Sequence, residues 1–391
     1  MFKVGFELEL LLLDRNNKQV NKAPLIIEDY RNQGTLMYEL SDSMAEVICE
    51  PHSDLSELGR MLAKELQLLD RVADDYGVIP VPLSAVCNSS QPFSRDHLQS
   101  IGMAKRVMLG DDLRNLEHFI CGTHIHIDRN PDENKTLNQF WLMQAVDPLF
   151  AFLSSSAIFL GNNSQNNYRV DVCRNQVFKN YPRLGQLSDY PASLDDIYAR
   201  WDANALIVSN WYKQAGLQEI MNRKSNACWS PVRLREKTIE SRSSDTNFLG
   251  NVLAQAAMYQ AVARLVCTEN FVIEIDEHDP GSHFLPVHGL LKIPSLSLLK
   301  KYQADAIHQG LKDENLYGYI KNVLSTLKPY MSDEGAGLFE MYYRRQTLSD
   351  EIVRFSIDNG FGIGSKVLPH QSSEVYAYVR ERYVQDLRNF L

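Results

Sequence analysis

Two glutamates one pleat apart stand at the start of the chain, in Val4-Gly5-Phe6-Glu7-Leu8-Glu9-Leu10. The alternation predicts a β-strand with Phe6, Leu8 and Leu10 on one face and Glu7 and Glu9 on the other. Neighbouring carboxylates repel, so inside a fold they need solvent or a cation between them. Three further segments show the same habit. After Met44, Glu46, Ile48 and Glu50 alternate with Ala45, Val47 and Cys49. Between Gly122 and Asp128, His124, His126 and Asp128 alternate with Thr123, Ile125 and Ile127. If residues 233–242 form a strand, Thr238, Glu240 and Arg242 share a face.

Each pattern alone has a simpler reading: a wet edge strand, a pair of surface histidines, a same-face Glu240–Arg242 ion pair. Together, in one antiparallel sheet, they would make an apolar face packed on helices and a polar face open to a cleft. Carboxylate oxygens with an occasional imidazole suit Mg²⁺ or Mn²⁺. Magnesium held by carboxylates keeps coordination positions for phosphate oxygens, so a nucleoside triphosphate is the natural partner. Arg242 or Arg169 would then neutralise charge developing on a transferred phosphoryl group.

The elements that must position these residues follow from period and punctuation. A short strand is predicted over 36–40, and Pro51 should end the strand that carries Glu46. Leu55, Leu58, Leu62, Leu66, Leu69 and Val72 predict a helix over 54–76, closed by Gly77. Residues 78–86 read as a strand notched by Pro80 and Pro82, the stretch from Asn88 to Asp96 as a loop, and much of 96–109 as a helix. An apolar helical region over 136–160 is divided by Pro148. The polar segment 161–191, with Asn162, Asn163, Asn166, Asn167 and Arg169, reads as a functional loop. Ser193 opens a helix to about Gly216, and Asp245 or Thr246 is expected to cap one running to about 269. Residues 271–291 read as an extended or turn-rich piece. From about 294 the pattern is helix after helix: 294–311, 315–328, 334–345, 348–358 (capped by Thr347-x-x-Asp350) and 373–390. Gly360, Gly362 and Gly364 follow no strand and lack dinucleotide-fingerprint spacing, so they read as a turn.

The 391 residues are 44% hydrophobic and 23% charged, enough for a sizeable core. A net charge of −9 argues against a nucleic-acid partner. The six cysteines are scattered without a Cys-x-x-Cys pair, which suits free thiols in a reducing cytoplasm. Phe140–Leu160, the most apolar stretch, is too polar to span a membrane, and strand one follows the N-terminus so directly that no signal peptide is expected.

Val4-Gly5-Phe6-Glu7-Leu8-Glu9, Cys121-Gly122-Thr123-His124-Ile125-His126, Asn167-Tyr168-Arg169 and Thr238-Ile239-Glu240-Ser241-Arg242-Ser243-Ser244-Asp245 stand in the order seen in glutamate–cysteine ligases. Over residues 4 to 270 the chain resembles the bacterial type 2 carboxylate–amine ligases of that group. The resemblance implies an α+β fold similar to the catalytic domain of glutamine synthetase, with a curved antiparallel sheet forming a funnel and helices outside. It implies ATP, Mg²⁺, phosphorylation of the γ-carboxylate of glutamate, and attack of an amine, by default cysteine, on the acyl phosphate. It places Glu7, Glu9, Glu46, His124 and Glu240 at metal-ligand positions, Arg242 at the phosphoryl group and Arg169 on the substrate or nucleotide side. The spacing to Pro51 departs by a residue, leaving Asp42 and Glu50 as alternatives to Glu46, and His126 stands where relatives carry other polar residues. Residues 292–391 match no motif.

The expectation is a catalytic unit over 1–291 with a helical part, 292–391, packed on it. Activated carboxylate chemistry needs no protein nucleophile, since phosphorylation itself supplies the leaving group. The alternatives are a phosphotransferase of the guanidino-kinase kind and a non-catalytic nucleotide-binding relative. A cytoplasmic location, small-molecule substrates and room for a homo-oligomer complete the expectations.

Overall fold

The computed structural model describes residues 2–30, 35–88, 100–218 and 224–391. Its centre is a seven-stranded sheet built from β1 (Val4–Asp14), β2 (Leu36–Tyr38), β3 (Met44–His52), β4 (Val78–Val81), β5 (Gly122–Asp128), β6 (Val232–Leu234) and β7 (Thr238–Asp245). The strand order is β2-β3-β1-β5-β7-β6, with β4 paired to the far half of β1. Every pairing in this sheet is antiparallel.

β1 does two jobs along its length. Its first half alternates and lies between β3 and β5. Its second half, Leu10-Leu11-Leu12-Leu13, is apolar without alternation because it is buried on both faces. The apolar side of the sheet packs on the amphipathic helix Leu55–Asp75 and on the helix Leu249–Thr268, the latter buried nearly all round. Asp54 opens the first of these helices by accepting hydrogen bonds from the Ser56 and Glu57 amides.

The five C-terminal helices are Leu296–His308, Glu314–Leu327, Ala336–Arg344, Leu348–Asp358 and Pro369–Arg388. The capping box at Thr347 and Asp350 is present as expected. Their apolar side chains join the same core cluster as the sheet. The last helix reaches back to β4 and to the helix Leu249–Thr268, and its Tyr376 hydroxyl accepts the Cys87 amide at 2.8 Å. The α+β class and the helix-backed antiparallel sheet agree with the sequence expectation.

Several element boundaries differ. Residues 233–242 are not one strand but the hairpin β6–β7, which folds the Arg233 side back beside Glu240. The helix after β7 starts at Leu249 with Phe248 as its non-capping entry, so neither Asp245 nor Thr246 caps it. Asp245 instead ends β7, where its carboxylate accepts the Ser155 amide at 2.8 Å and the Ser156 hydroxyl at 2.7 Å. The strand expected over 78–86 stops at Val81, and Pro51 lies within β3 rather than ending it. The loop expected from Asn88 to Asp96 falls almost wholly outside the described residues. Residues 272–294 hold a small separate sheet: β8 (Val272–Asp276), β9 (Pro286–Val287) and β10 (Leu290–Pro294), with β8 and β10 parallel.

Candidate active site

Residues directly opposite one another in a ladder point to the same face. The register therefore assembles the site. Glu9 lies opposite Glu46, Glu7 opposite His124, and His126 opposite Glu240. Four strands that are far apart in sequence thus place carboxylates and imidazoles side by side on the face away from the helix core.

Three sets of side chains there bring one ligand atom each within 4.8 Å of one another: Glu7, Glu46 and His124; Glu9, Glu39 and Glu46; Glu7, His126 and Glu240. Glu46 belongs to two of these sets. Glu50, by contrast, is exposed, and neither it nor Asp42 joins a set among the described residues. Glu39 was not foreseen. Met37 of β2 pairs with Glu46, so Glu39, two residues on, takes the same face. Only the pairing reveals that parity.

The electrostatics suit a cation. Burial pushes the Glu39 carboxyl up to about 8, and the nearby Glu9 and Glu7 charges add to the rise. Burial likewise raises Glu46 well above the usual range, reinforced by Glu39, Glu7 and Glu9. Glu7 goes the other way. Its burial favours the neutral acid, but His124 Nδ1 at 2.7 Å and His126 Nε2 at 3.2 Å hold it well below the usual carboxylate range. Burial, then the Arg242 charge, lowers His124, which keeps the imidazole in the neutral form that ligates metals.

Glu240 is fully buried, and both its oxygens are engaged. Arg233 Nε and Nη2 meet them at 2.8 and 2.9 Å, and Arg242 Nη1 makes a third contact. Burial alone would raise this carboxyl, and the two guanidinium groups hold it well below the usual range. In this arrangement Glu240 clamps two arginines as well as standing near Glu7 and His126. Arg233 is the second unforeseen residue. Its place in the hairpin opposite Glu240 was the available signal.

Arg169 sits at the other end of the acidic face. Both its Nη atoms donate to the Arg242 carbonyl oxygen at 3.2 Å, and its guanidinium lies over Gly122. A Cβ on Gly122 would come within 1.9 Å of Arg169 Nη2, so only glycine admits this approach. The Gly122 amide in turn donates to Glu9 Oε2 at 2.5 Å. The polar segment 161–191 brings Arg169 beside β5 and β7 through a short turn of helix at Tyr168–Asp171 capped by Asn167.

A cleft of about 420 Å³ opens over this face, and its wall includes Glu7, Glu39, Glu46, His124, Arg233 and Arg242. Opposite them stands Lys105, which is buried, meets Glu117 Oε1 at 2.8 Å and lies 4.3 Å from the centroid of the Trp229 ring. Burial lowers Lys105, and the Glu117 charge opposes the shift. Carboxylates and guanidiniums interleaved around one cleft can hold divalent cations and a polyanion together.

No protein-family model matches the chain. A protein of Ruegeria pomeroyi provisionally named glutamate–cysteine ligase 2 is 25% identical over 278 residues, 68% of this chain and 66% of that protein. A Rubrobacter xylanophilus protein provisionally named glutamate–cysteine ligase 2-3 is 25% identical over 272 residues, 67% of this chain and 69% of that one. The chain is similar in sequence to both of these proteins. The matched region spans about two thirds of their length. Solved structures share the fold. A bifunctional glutathione synthetase from Pasteurella multocida superposes with a TM-score of 0.63 at 13% identity, over all of this chain and 52% of that one. A glutamate–cysteine ligase from Francisella tularensis in complex with AMP gives 0.53 at 13% identity, covering 100% and 91%. The ligase PafA, solved with the ubiquitin-like protein Pup, gives 0.51 at 12% identity, covering 100% and 76%. Among the described residues of the chain, no helix is long and apolar enough to cross a membrane.

Proposed function

We propose that this chain is an ATP-dependent carboxylate–amine ligase that joins the γ-carboxylate of glutamate to a small amine, cysteine by default, through an acyl phosphate. The observation that carries the reading is the pair of ligand sets sharing Glu46: Glu7, Glu46 and His124 beside Glu9, Glu39 and Glu46. Four buried or half-buried carboxylates within reach of one another are costly unless divalent cations neutralise them. The names of the relatives and the ligase neighbours that share the fold point the same way.

In this reading Glu7, Glu9, Glu39, Glu46 and His124 hold Mg²⁺, with Mn²⁺ as a substitute. The bound metal screens the repulsion between the glutamate carboxylate and the triphosphate. Arg242, held by Glu240 at the cleft wall, faces the transferred phosphoryl group and balances its charge. Arg233 fixes Glu240, and Glu240 fixes Arg242, so the guanidinium is set before substrate arrives. Arg169, bonded to the Arg242 backbone, orients the substrate side of the same strand. The site needs no side-chain nucleophile, because the carboxylate attacks the γ-phosphorus as ADP leaves, and the amine attacks the acyl carbon, expelling phosphate and losing a proton.

The test is ADP release with Mg²⁺, ATP and glutamate, with and without a panel of amines led by cysteine. Release that requires glutamate and one amine is the expected result. Release that tracks a guanidino substrate without glutamate would replace the ligase with a phosphotransferase. No release with any amine, alongside Mg·ATP binding, would make the chain a binding protein.

A further inference from the structure

A second cavity of about 330 Å³ lies on the outer side of β6, and Arg233 borders both it and the acidic cleft. Its character is the opposite of the cleft's. Arg183, Arg200 and Lys300 line it against a single acid, Asp189. The Arg200 guanidinium is fixed there by Ser188 Oγ at 3.0 Å and the Asp189 carbonyl at 2.7 Å. Apolar surface comes from Phe140, Trp201 and Val232.

We propose that this cavity is a second small-molecule site, one that takes a flat organic anion. The flat body packs against Trp201, and the anionic group meets Arg183 and Lys300, both exposed at the rim. Cavity size fits a ligand such as an indole carboxylate or a nucleoside monophosphate, which share this chemistry. A ligand there rests against Arg233, whose other side holds Glu240, so occupancy is felt at the acidic cleft. The inference stands apart from the ligase reading, because it concerns a different cavity and binding that needs no metal or turnover.

Isothermal titration of the full chain in EDTA, without glutamate, tests it with two probes: indole-3-acetate and AMP. Binding of either that weakens roughly fivefold to tenfold in the Arg183→Ala/Lys300→Ala double variant supports the site and names its source. That binding should survive Glu7→Gln, which alters only the acidic cleft. The two rim residues are exposed, so their removal leaves the fold in place. Binding of neither probe at millimolar concentration overturns the proposal. So does binding that Glu7→Gln abolishes and the double variant leaves unchanged.

Discussion

At the scale of single residues, the site is a balance of like charges held close. Glu39 shows the balance best, because it stands beside Glu9 and Glu46 with its carboxyl raised to about 8. Glu39→Gln should raise the melting temperature of the metal-free protein at neutral pH, since the amide removes the cost of protonating a carboxyl that is ionised in the unfolded chain. The same variant should lose most of the stabilisation that Mg²⁺ confers and most of its turnover. Thermal melting with EDTA and with Mg²⁺ checks both halves; an unchanged Mg²⁺ response would remove Glu39 from the ligand set. Gly122 tests a contact of another kind. In Gly122→Ala the new methyl meets the end of the Arg169 side chain, which swings aside at a cost of no more than about 1–3 kcal/mol of overpacking strain. Activity should fall about a hundredfold or more, as misplacement of a positioning group does. A variant with normal kcat/KM would show that Arg169 has no part in the reaction.

At the scale of elements, strand pairing is what converts scattered patterns into chemistry, and the β6–β7 hairpin is the clearest case. It buries Glu240 against Arg233 and Arg242. Breaking a buried ion pair from one side leaves the other charge uncompensated, typically at about 3–5 kcal/mol. Arg233→Leu should approach the lower end of that range, because Arg242 still faces Glu240, and denaturant unfolding measures it. Loss of activity should exceed what the stability change explains, since Arg242 loses its fixed neighbour. Equal stability in wild type and variant would show that the pair makes no net contribution. Helix ends behave more simply. The Thr347 box was readable because capping is local chemistry, whereas Asp245 was misread because its partners, Ser155 and Ser156, lie about 90 residues away in sequence.

At the scale of the whole molecule, the acidic face makes stability depend on pH and metal together. Glu39 and Glu46 have folded-state pKa values raised above their unfolded ones. Their contribution is therefore complete at low pH and is lost as pH rises through the folded values, near 8 for Glu39. The metal-free protein should melt at a lower temperature at pH 9 than at pH 6.5. Saturating Mg²⁺ should remove that slope, add about 2.7 kcal/mol at a hundredfold excess over Kd, and release protons on binding. A pH slope identical with and without Mg²⁺ would contradict the assignment. The C-terminal third belongs to the same balance. We propose that residues 292–391 are one folding unit with 1–291, because Tyr376, Val379, Tyr383 and Leu387 are buried in the shared core. A fragment ending at residue 291 should fail to melt cooperatively; a fragment with a native-like transition would make the two parts separate domains.

What the sequence determined by itself was local. Period two around Glu7, Glu46 and His124 marked strands with one polar face, leucine spacing marked the helix Leu55–Asp75, and Thr347-x-x-Asp350 marked a helix start. The order of the four motifs was enough to place the chain beside the glutamate–cysteine ligases and to select Glu7, Glu9, Glu46, His124, Glu240, Arg242 and Arg169. What only the tertiary structure decided was which side chains meet. Register set Glu46 opposite Glu9 and brought Glu39 to the same face, and the hairpin turn delivered Arg233 to Glu240. The reason is physical: a strand's own alternation says which residues share a face, but the pairing of one strand with another is set by closure of the whole core, and a shift of one residue exchanges every side chain between core and cleft.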